Sequence, residues 1–338
     1  MRKIAFSVVG IGRIGNRHVE HIISKSELVS VCDIDPLARK QFADKYPDVK
    51  VYNSIEELLE NDNTSEVVNI CTPNGLHAQH TILALKAGKN VVCEKPMALY
   101  VKDCEEMIDL SNSVNKKLFI VKQNRFNPPV EQLKNALMEN KLGKILSAQL
   151  NCFWNRNNRY YQESNWKGTK NLDGGILYTQ FSHFLDLLLW FLGDVKEVSG
   201  YCLNVNHKGI IEFEDTLLAC VKFESGVLAS INCSINSYET NMEGSVTILG
   251  EYGTVKVGGQ YLNLMEYNKI KDLSFDKIVY NKSANDYGFY QGSMSNHDKV
   301  IENVIATMNN RSTIAVDGLE GMRTIKLIEM LYNNVKSL

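Results

Sequence analysis

The 338-residue chain is poor in the features that mark a secreted scaffold, a membrane protein or a nucleic-acid binder. No two of its eight cysteines stand in a C-x-x-C pair, so neither a disulfide framework nor a zinc knuckle is indicated. Cys32, Cys71 and Cys93 fall instead on predicted buried strands, where a thiol behaves as a small apolar group; this is the usage of a reducing cytoplasm. Net charge is nearly absent, at −2 from 37 basic and 39 acidic residues, which removes the electrostatic case for nucleic acid or an anionic membrane surface. The most apolar long stretch, residues 174–193, contains Gln180, His183 and Asp186 and reads as a buried helix rather than a membrane span. Met1-Arg2-Lys3 and the apolar run behind it imitate a signal peptide, but a glycine turn interrupts the run and no cleavage site follows. Proline is scarce too: all six prolines stand at or before residue 129, and a change of domain is expected there.

What is present begins with Gly10-Ile11-Gly12-Arg13-Ile14-Gly15. The apolar run Ile4–Val9 ahead of it predicts a strand, and the residues behind it predict a helix. Between strand and helix, such glycines allow a tight turn, close approach of a pyrophosphate and close helix–strand packing. The next predicted strand ends in Asp33, 18 residues beyond Gly15. A carboxylate there accepts from adenosine ribose hydroxyls and repels a 2′-phosphate, which favours NAD over NADP.

Strands are expected at 4–9, 28–32, 67–71, 90–93 and 118–121, with helices between them. That pattern predicts a doubly wound parallel-sheet domain over residues 1–123. Residues 124–338 carry alternating strands at 145–154, 197–204, 216–223, 227–234, 245–249 and 254–257, then two amphipathic helices near 297–308 and 318–335. They predict an α+β domain with a large, open, mostly antiparallel sheet that has one face buried.

Ligands of doubly wound sheets sit beyond the carboxyl ends of the strands. Thr72-Pro73-Asn74 with His77, and Glu94-Lys95-Pro96, occupy such ends. Lys95 is placed to hydrogen-bond a reacting hydroxyl, or is a surface lysine at a strand end. His183 shares one face of a predicted helix 176–192 with Thr179, Gln180 and Asp186. It is either a general base with a pKa near neutrality or a core histidine bonded to Asp186. Arg125 grips a substrate anion or pairs with a structural carboxylate. Tyr161 and Trp166 lie in a loop able to stack on a sugar or base, or to cap the sheet. His77 and His80 lack an evident third ligand, so no metal is expected.

These residues together resemble the Gfo/Idh/MocA oxidoreductases over nearly the whole chain, on Gly10, Gly12, Gly15, His18, Thr72-Pro73-Asn74, His77, Glu94-Lys95-Pro96 and His183. The resemblance implies NAD(P) as cofactor, carbohydrate-like substrates, and dimers or tetramers formed through the open sheet. It makes Lys95 and His183 the catalytic pair. It also makes Gly10, Gly12, Arg13, Ile14, Gly15, Asp33, Thr72, Asn74, His77, Glu94 and Lys95 the cofactor residues. Lys95, Arg125, Tyr161, Trp166, Thr179, Gln180 and His183 become the substrate residues. Many members have aspartate four residues before the histidine; here that residue is Thr179. Trp166-Lys167-Gly168-Thr169, Asp173-Gly174-Gly175 and Gln180 with His183 are similar to one branch, which oxidises the 3-hydroxyl of UDP-N-acetylglucosaminuronic acid for surface polysaccharides. Two other readings stay open: a dehydrogenase of a free polyol or monosaccharide such as an inositol, and a catalytically silent NAD-binding regulator.

Overall fold

The computed structural model describes residues 2–275, 284–286, 288 and 290–338. The chain divides into two compact units. The first holds Met1–Lys122 and His297–Ile325, and the second holds Gln123–Asn296 and Lys326–Leu338.

In the first unit β1 (Ala5–Val9), β2 (Glu27–Cys32), β3 (Lys50–Tyr52), β4 (Val67–Ile70), β5 (Asn90–Cys93) and β6 (Leu118–Ile120) form a parallel sheet of order β3-β2-β1-β4-β5-β6. The order in which strands are added reverses between β1 and β4, the switch point at which such sheets take ligands. β1 is buried along its length, as a strand covered on both faces must be. The crossovers carry α1 (Arg13–Lys25), α2 (Pro36–Lys45), α3 (Ile55–Asn61), α4 (His77–Lys86) and α5 (Val101–Ser113). Local chemistry sets their starts. Asp35 caps α2 by accepting from Leu37 N–H, with Pro36 in the first turn, and Ser54 caps α3 by accepting from Glu57 N–H. The short β3 has no long apolar run and was not expected from the sequence.

The second unit opens with α6 (Pro128–Met138), β7 (Ile145–Phe153), α7 (Asn158–Gln162), α8 (Ile176–Thr179) and α9 (Ser182–Leu192). It continues through β8 (Val195–Leu203), β9 (Thr216–Phe223), β10 (Leu228–Ser234), β11 (Glu243–Gly250), β12 (Gly253–Gly258), β13 (Leu264–Ile270), β14 (Ala284–Asp286) and β15 (Gln291–Met294). The chain closes with α10 (His297–Met308), α11 (Gly318–Asn334) and β16 (Val335–Ser337). The large sheet has the order β13-β12-β11-β7-β10-β9-β8-β16 and is antiparallel except at β7–β10 and β8–β16. It is one-faced. On β9, Leu217, Ala219, Val221 and Phe223 are buried while Leu218 and Cys220 are exposed.

Residues 297–325 cluster with the first compact unit, although they follow the second in sequence. There Gly318 and Gly321 lie so close to Ile108 and Ile120 that a Cβ would stand 2.7 and 2.8 Å from those side chains. The helix expected at 176–192 is broken into α8 and α9 at Gln180–Phe181, without proline or glycine to mark the break. The expected final helix to Val335 ends at Asn334, and Val335–Ser337 pairs with β8 instead. Among the described residues, no helix is long and apolar enough to cross a membrane.

Candidate functional site

In the first unit the glycine turn meets each requirement set by its spacing. Gly10 has φ +87°, a left-handed conformation that favours glycine. A Cβ on Gly15 would lie 1.9 Å from the Gly10 carbonyl oxygen, so α1 packs against the turn as only glycine permits. Gly12 is the opposite case: a Cβ there would meet nothing within 4 Å. That open space stands at the N-terminus of α1, where unpaired N–H groups favour a phosphate. Arg13 and Ile14 form the first turn of α1 beside it. Asp33 closes β2 and accepts from Ile11 N–H at 2.8 Å, which ties the carboxylate to the glycine turn. The residues present therefore fit an adenine dinucleotide.

Beyond β4 and β5 lie the other first-unit candidates. Asn74 is buried in a short 3-10 turn, and Thr72 is half-buried with its hydroxyl 3.0 Å from His80 Nδ1. The ring nitrogens of His77 stand 2.6 Å from the Pro96 carbonyl and 2.8 Å from the Thr72 carbonyl. His77 thus braces the two strand-end segments against each other. Burial draws its pKa below the ordinary imidazole value, against the pull of those carbonyls. Lys95 is half-buried and follows Glu94, whose carboxylate accepts from Lys95 N–H at 3.0 Å.

The second unit carries His183 in the first turn of α9, 3% exposed. Its Nε2 lies 3.0 Å from the Gln123 amide nitrogen, which stands 3.1 Å from Ser293 Oγ. Asp186 accepts from both Nε and Nη2 of Arg125 at 2.8 Å, and the guanidinium packs over Trp190. Of the two partners the sequence leaves open for Arg125, the structure provides the carboxylate. Gln180, placed by the sequence on the His183 face, instead accepts from Arg156 Nε at 2.8 Å and donates to Tyr160 Oη at 2.9 Å. Thr179 Oγ1 donates to the buried Asp173 carboxylate. Tyr161 is buried against Tyr160 and His207, and Trp166 is half-buried in the loop behind it.

Gln123, Arg156 and His297 escaped the sequence reading, and so did the partner of His18. Gln123 stands beside His183, and its place directly after β6 was the available signal. Arg156 is 2% exposed, stacked among Trp154, Tyr160 and Tyr290, and bonded to Gln180 and Asn241. His18 and His297 both approach Glu94 in the first unit, at 2.8 and 3.3 Å. Neither long-range contact leaves a mark in local spacing.

Comparison with known proteins gives a consistent result. A family model described as "Oxidoreductase family, NAD-binding Rossmann fold" matches residues 4–122, and its "C-terminal alpha/beta domain" companion matches residues 134–337. The crystal structure of the WlbA dehydrogenase from Bordetella pertussis, in complex with NADH and UDP-GlcNAcA, is 32% identical with a TM-score of 0.88, covering 98% of this chain and 96% of that one. The Chromobacterium violaceum WlbA dehydrogenase, with the same two ligands, is 36% identical with a TM-score of 0.87, covering 98% and 94%. A 1-carboxy-3-chloro-3,4-dihydroxycyclohexa-1,5-diene dehydrogenase of Comamonas testosteroni is 33% identical over 231 residues, 67% of this chain; the match spans only 56% of that protein's length. Inositol 2-dehydrogenase of Salmonella paratyphi B is 29% identical over 257 residues, 74% of this chain and 72% of that one.

Proposed function

The chain belongs to the Gfo/Idh/MocA family of NAD-binding oxidoreductases, and from that premise we propose that it oxidises a secondary hydroxyl of a sugar, at C3 of a UDP-N-acetylglucosaminuronate-type nucleotide sugar. The observation that supports this substrate is the likeness, at 32% and 36% identity over 98% of the chain, to two dehydrogenases that hold NADH and UDP-GlcNAcA. The reaction would belong to surface polysaccharide synthesis and run in a homodimer or homotetramer.

Gly10, Gly12, Arg13, Ile14 and Gly15, with Asp33, Thr72, Asn74, Glu94 and Lys95, are the residues that would hold NAD, and His77 braces two of those segments. NAD, when bound, supplies the acceptor for the hydride that leaves the carbinol carbon. In this reading His183 takes the hydroxyl proton at a ring nitrogen. Lys95 hydrogen-bonds the same oxygen through Nζ and offsets the negative charge that grows there. Gln123 orients the His183 ring. Trp166 and Tyr161 shape the sugar-nucleotide pocket, while Arg125 and Gln180 act through the side chains they hold. Thr179 stands where many relatives carry aspartate, so a third catalytic carboxylate is not part of the reading.

The test is turnover of UDP-GlcNAcA by purified protein. Lys95→Ala and His183→Ala should each lower kcat by about 10²–10⁴, the usual weight of a proton-transfer group. In His183→Ala the dissociation constant for NAD should stay within about threefold, under about 1 kcal/mol. Undiminished turnover in both variants would overturn the assignment. The likeness to inositol 2-dehydrogenases favours a second reading, on a free polyol. A ligand raises the melting temperature in proportion to its occupancy. A shift with UDP-GlcNAcA and none with myo-inositol supports the nucleotide sugar; the reverse supports the polyol. Absence of hydride exchange with any sugar would leave the silent NAD-binding regulator.

A further inference from the structure

Glu94 is the most confined acid near Lys95. It stands at the end of β5, 3% exposed, and each of its carboxylate oxygens has a separate task. Oε2 accepts from the main-chain N–H of Lys95 at 3.0 Å. Oε1 lies 2.8 Å from His18 Nε2 on α1 and 3.3 Å from His297 Nε2 on α10. Asn69, from β4, offers its amide N–H to His18 Nδ1 at 2.8 Å. With Nδ1 accepting, the ring proton of His18 sits on Nε2 and donates to Glu94. Asn69 thus donates to His18, while His18 and the Lys95 main chain both donate to Glu94, so the hydrogen bonds converge on a carboxylate fixed by three elements of the same unit. Burial on its own would raise the Glu94 pKa, but the hydrogen bond from His18 and the nearby His297 imidazole outweigh it and hold the carboxyl well below the ordinary range.

The three side chains also have the donor types of a metal centre. Two ligands on one tetrahedral zinc, with bonds near 2.1 Å, stand about 3.4 Å apart. The His18–Glu94 separation of 2.8 Å is shorter and carries a proton. The group is hydrogen-bonded, and its product is a fixed main chain.

We propose that Glu94 is the positioning residue for Lys95: held by His18, with His297 beside it, it accepts from the Lys95 main-chain N–H and so sets where the lysine side chain begins. The inference rests on the reading of Lys95 as catalytic. Glu94 itself need not touch the substrate. Placement matters because a reacting contact displaced by about 1 Å can cost about a hundredfold in rate.

The experiment compares variants at two distances from Lys95. Glu94→Gln keeps the shape and removes the charge, and it leaves one acceptor oxygen for two donors. It should lower kcat by about 10- to 100-fold while KM for the sugar moves less than about threefold. His18→Gln places an amide N–H near the position of Nε2 and should keep kcat within about threefold of the parent. His18→Leu removes the donor and should repeat the Glu94→Gln loss, and the double variant should cost no more than the larger single one. A Glu94→Gln protein with parental kcat overturns the proposal, as does a His18→Gln protein no better than His18→Leu. If Glu94→Gln does not fold, the two His18 variants decide alone. Lys95→Ala run in parallel separates the causes: if it is fully active, the reading of Lys95 falls first; if it is inactive while Glu94→Gln is not, only the positioning role falls.

Discussion

Gly12 and Gly15 separate binding from folding within one turn. A methyl on Gly15 would have to share space with the Gly10 carbonyl, at 1.9 Å, so Gly15→Ala forces α1 away from β1. Its expected cost is of the order of 3 kcal/mol or more, the range of a buried steric clash. Gly12→Ala meets nothing in the protein. It should leave the urea midpoint within about 0.5 kcal/mol of the parent and weaken NAD binding by tenfold or more, because the methyl takes the pyrophosphate's place. Chemical denaturation and NAD titration on the two variants check both statements; equal NAD affinity in Gly12→Ala and parent would deny the turn its ligand. At this scale the sequence was most legible. Glycine spacing, Asp33 and Glu94-Lys95-Pro96 are local patterns, and local patterns survive in one dimension. The partner of Arg125 was not legible, since Asp186 lies 61 positions away and several carboxylates compete for such a role. Gln123 and Arg156 were missed for the same reason.

Two carboxyl groups, one beneath each sheet, are set in opposite directions. Asp62, which follows α3, is buried and accepts from the hydroxyls of Ser7 and Ser30 and from the N–H groups of Thr64 and Ser65. Burial opposes its charge, but these four donors win and bring its pKa down to about 2. A group depressed in the folded state stabilises above its unfolded pKa, and that contribution disappears as pH falls toward the folded value. Acid unfolding between roughly pH 4 and 2 should therefore be shallower in Asp62→Asn than in the parent. Glu214 is buried in the second unit, accepts from the Tyr332 hydroxyl at 2.6 Å, and is pushed up to about 7 by desolvation. Here the folded state holds its proton more tightly than the unfolded chain, so stability falls as pH rises from about 4.5 to 7. Glu214→Gln should raise the melting temperature at pH 8, by up to about 3 kcal/mol in free energy, and change little at pH 4.5. A variant less stable than the parent at pH 8 would contradict this. Elements with strong periodicity were readable in advance. The break between α8 and α9 was not, because no helix breaker marks it; Gln180, at the break, bonds Arg156 and Tyr160 across long stretches of sequence. The short β3 and the largely exposed β13 carry too little apolar patterning to announce themselves.

Across the large sheet, alternation leaves one face covered and the other open. Tyr201 on β8 and Leu218 on β9 stand opposite each other in register on the open side, about half exposed at 49% and 50%. A broad exposed sheet face of this kind is expected to be covered by a second copy of the chain. Leu218→Glu should then shift the sedimentation coefficient to that of a 38.2 kDa monomer, with the NAD affinity of each chain retained. A parent that already sediments as a monomer would remove the premise. The two-part organisation was visible in the proline distribution and the change from apolar to alternating strands. The return of residues 297–325 to the first unit was not, because its helices are amphipathic in the same way whichever unit receives them. The open face has a practical corollary. Seven of the eight thiols are buried, and Cys220, in the row with Leu218, is the exposed one. A single fluorescent maleimide added to the unmodified protein would therefore attach at one address, and its rate of attachment would measure how much of the time that surface is uncovered.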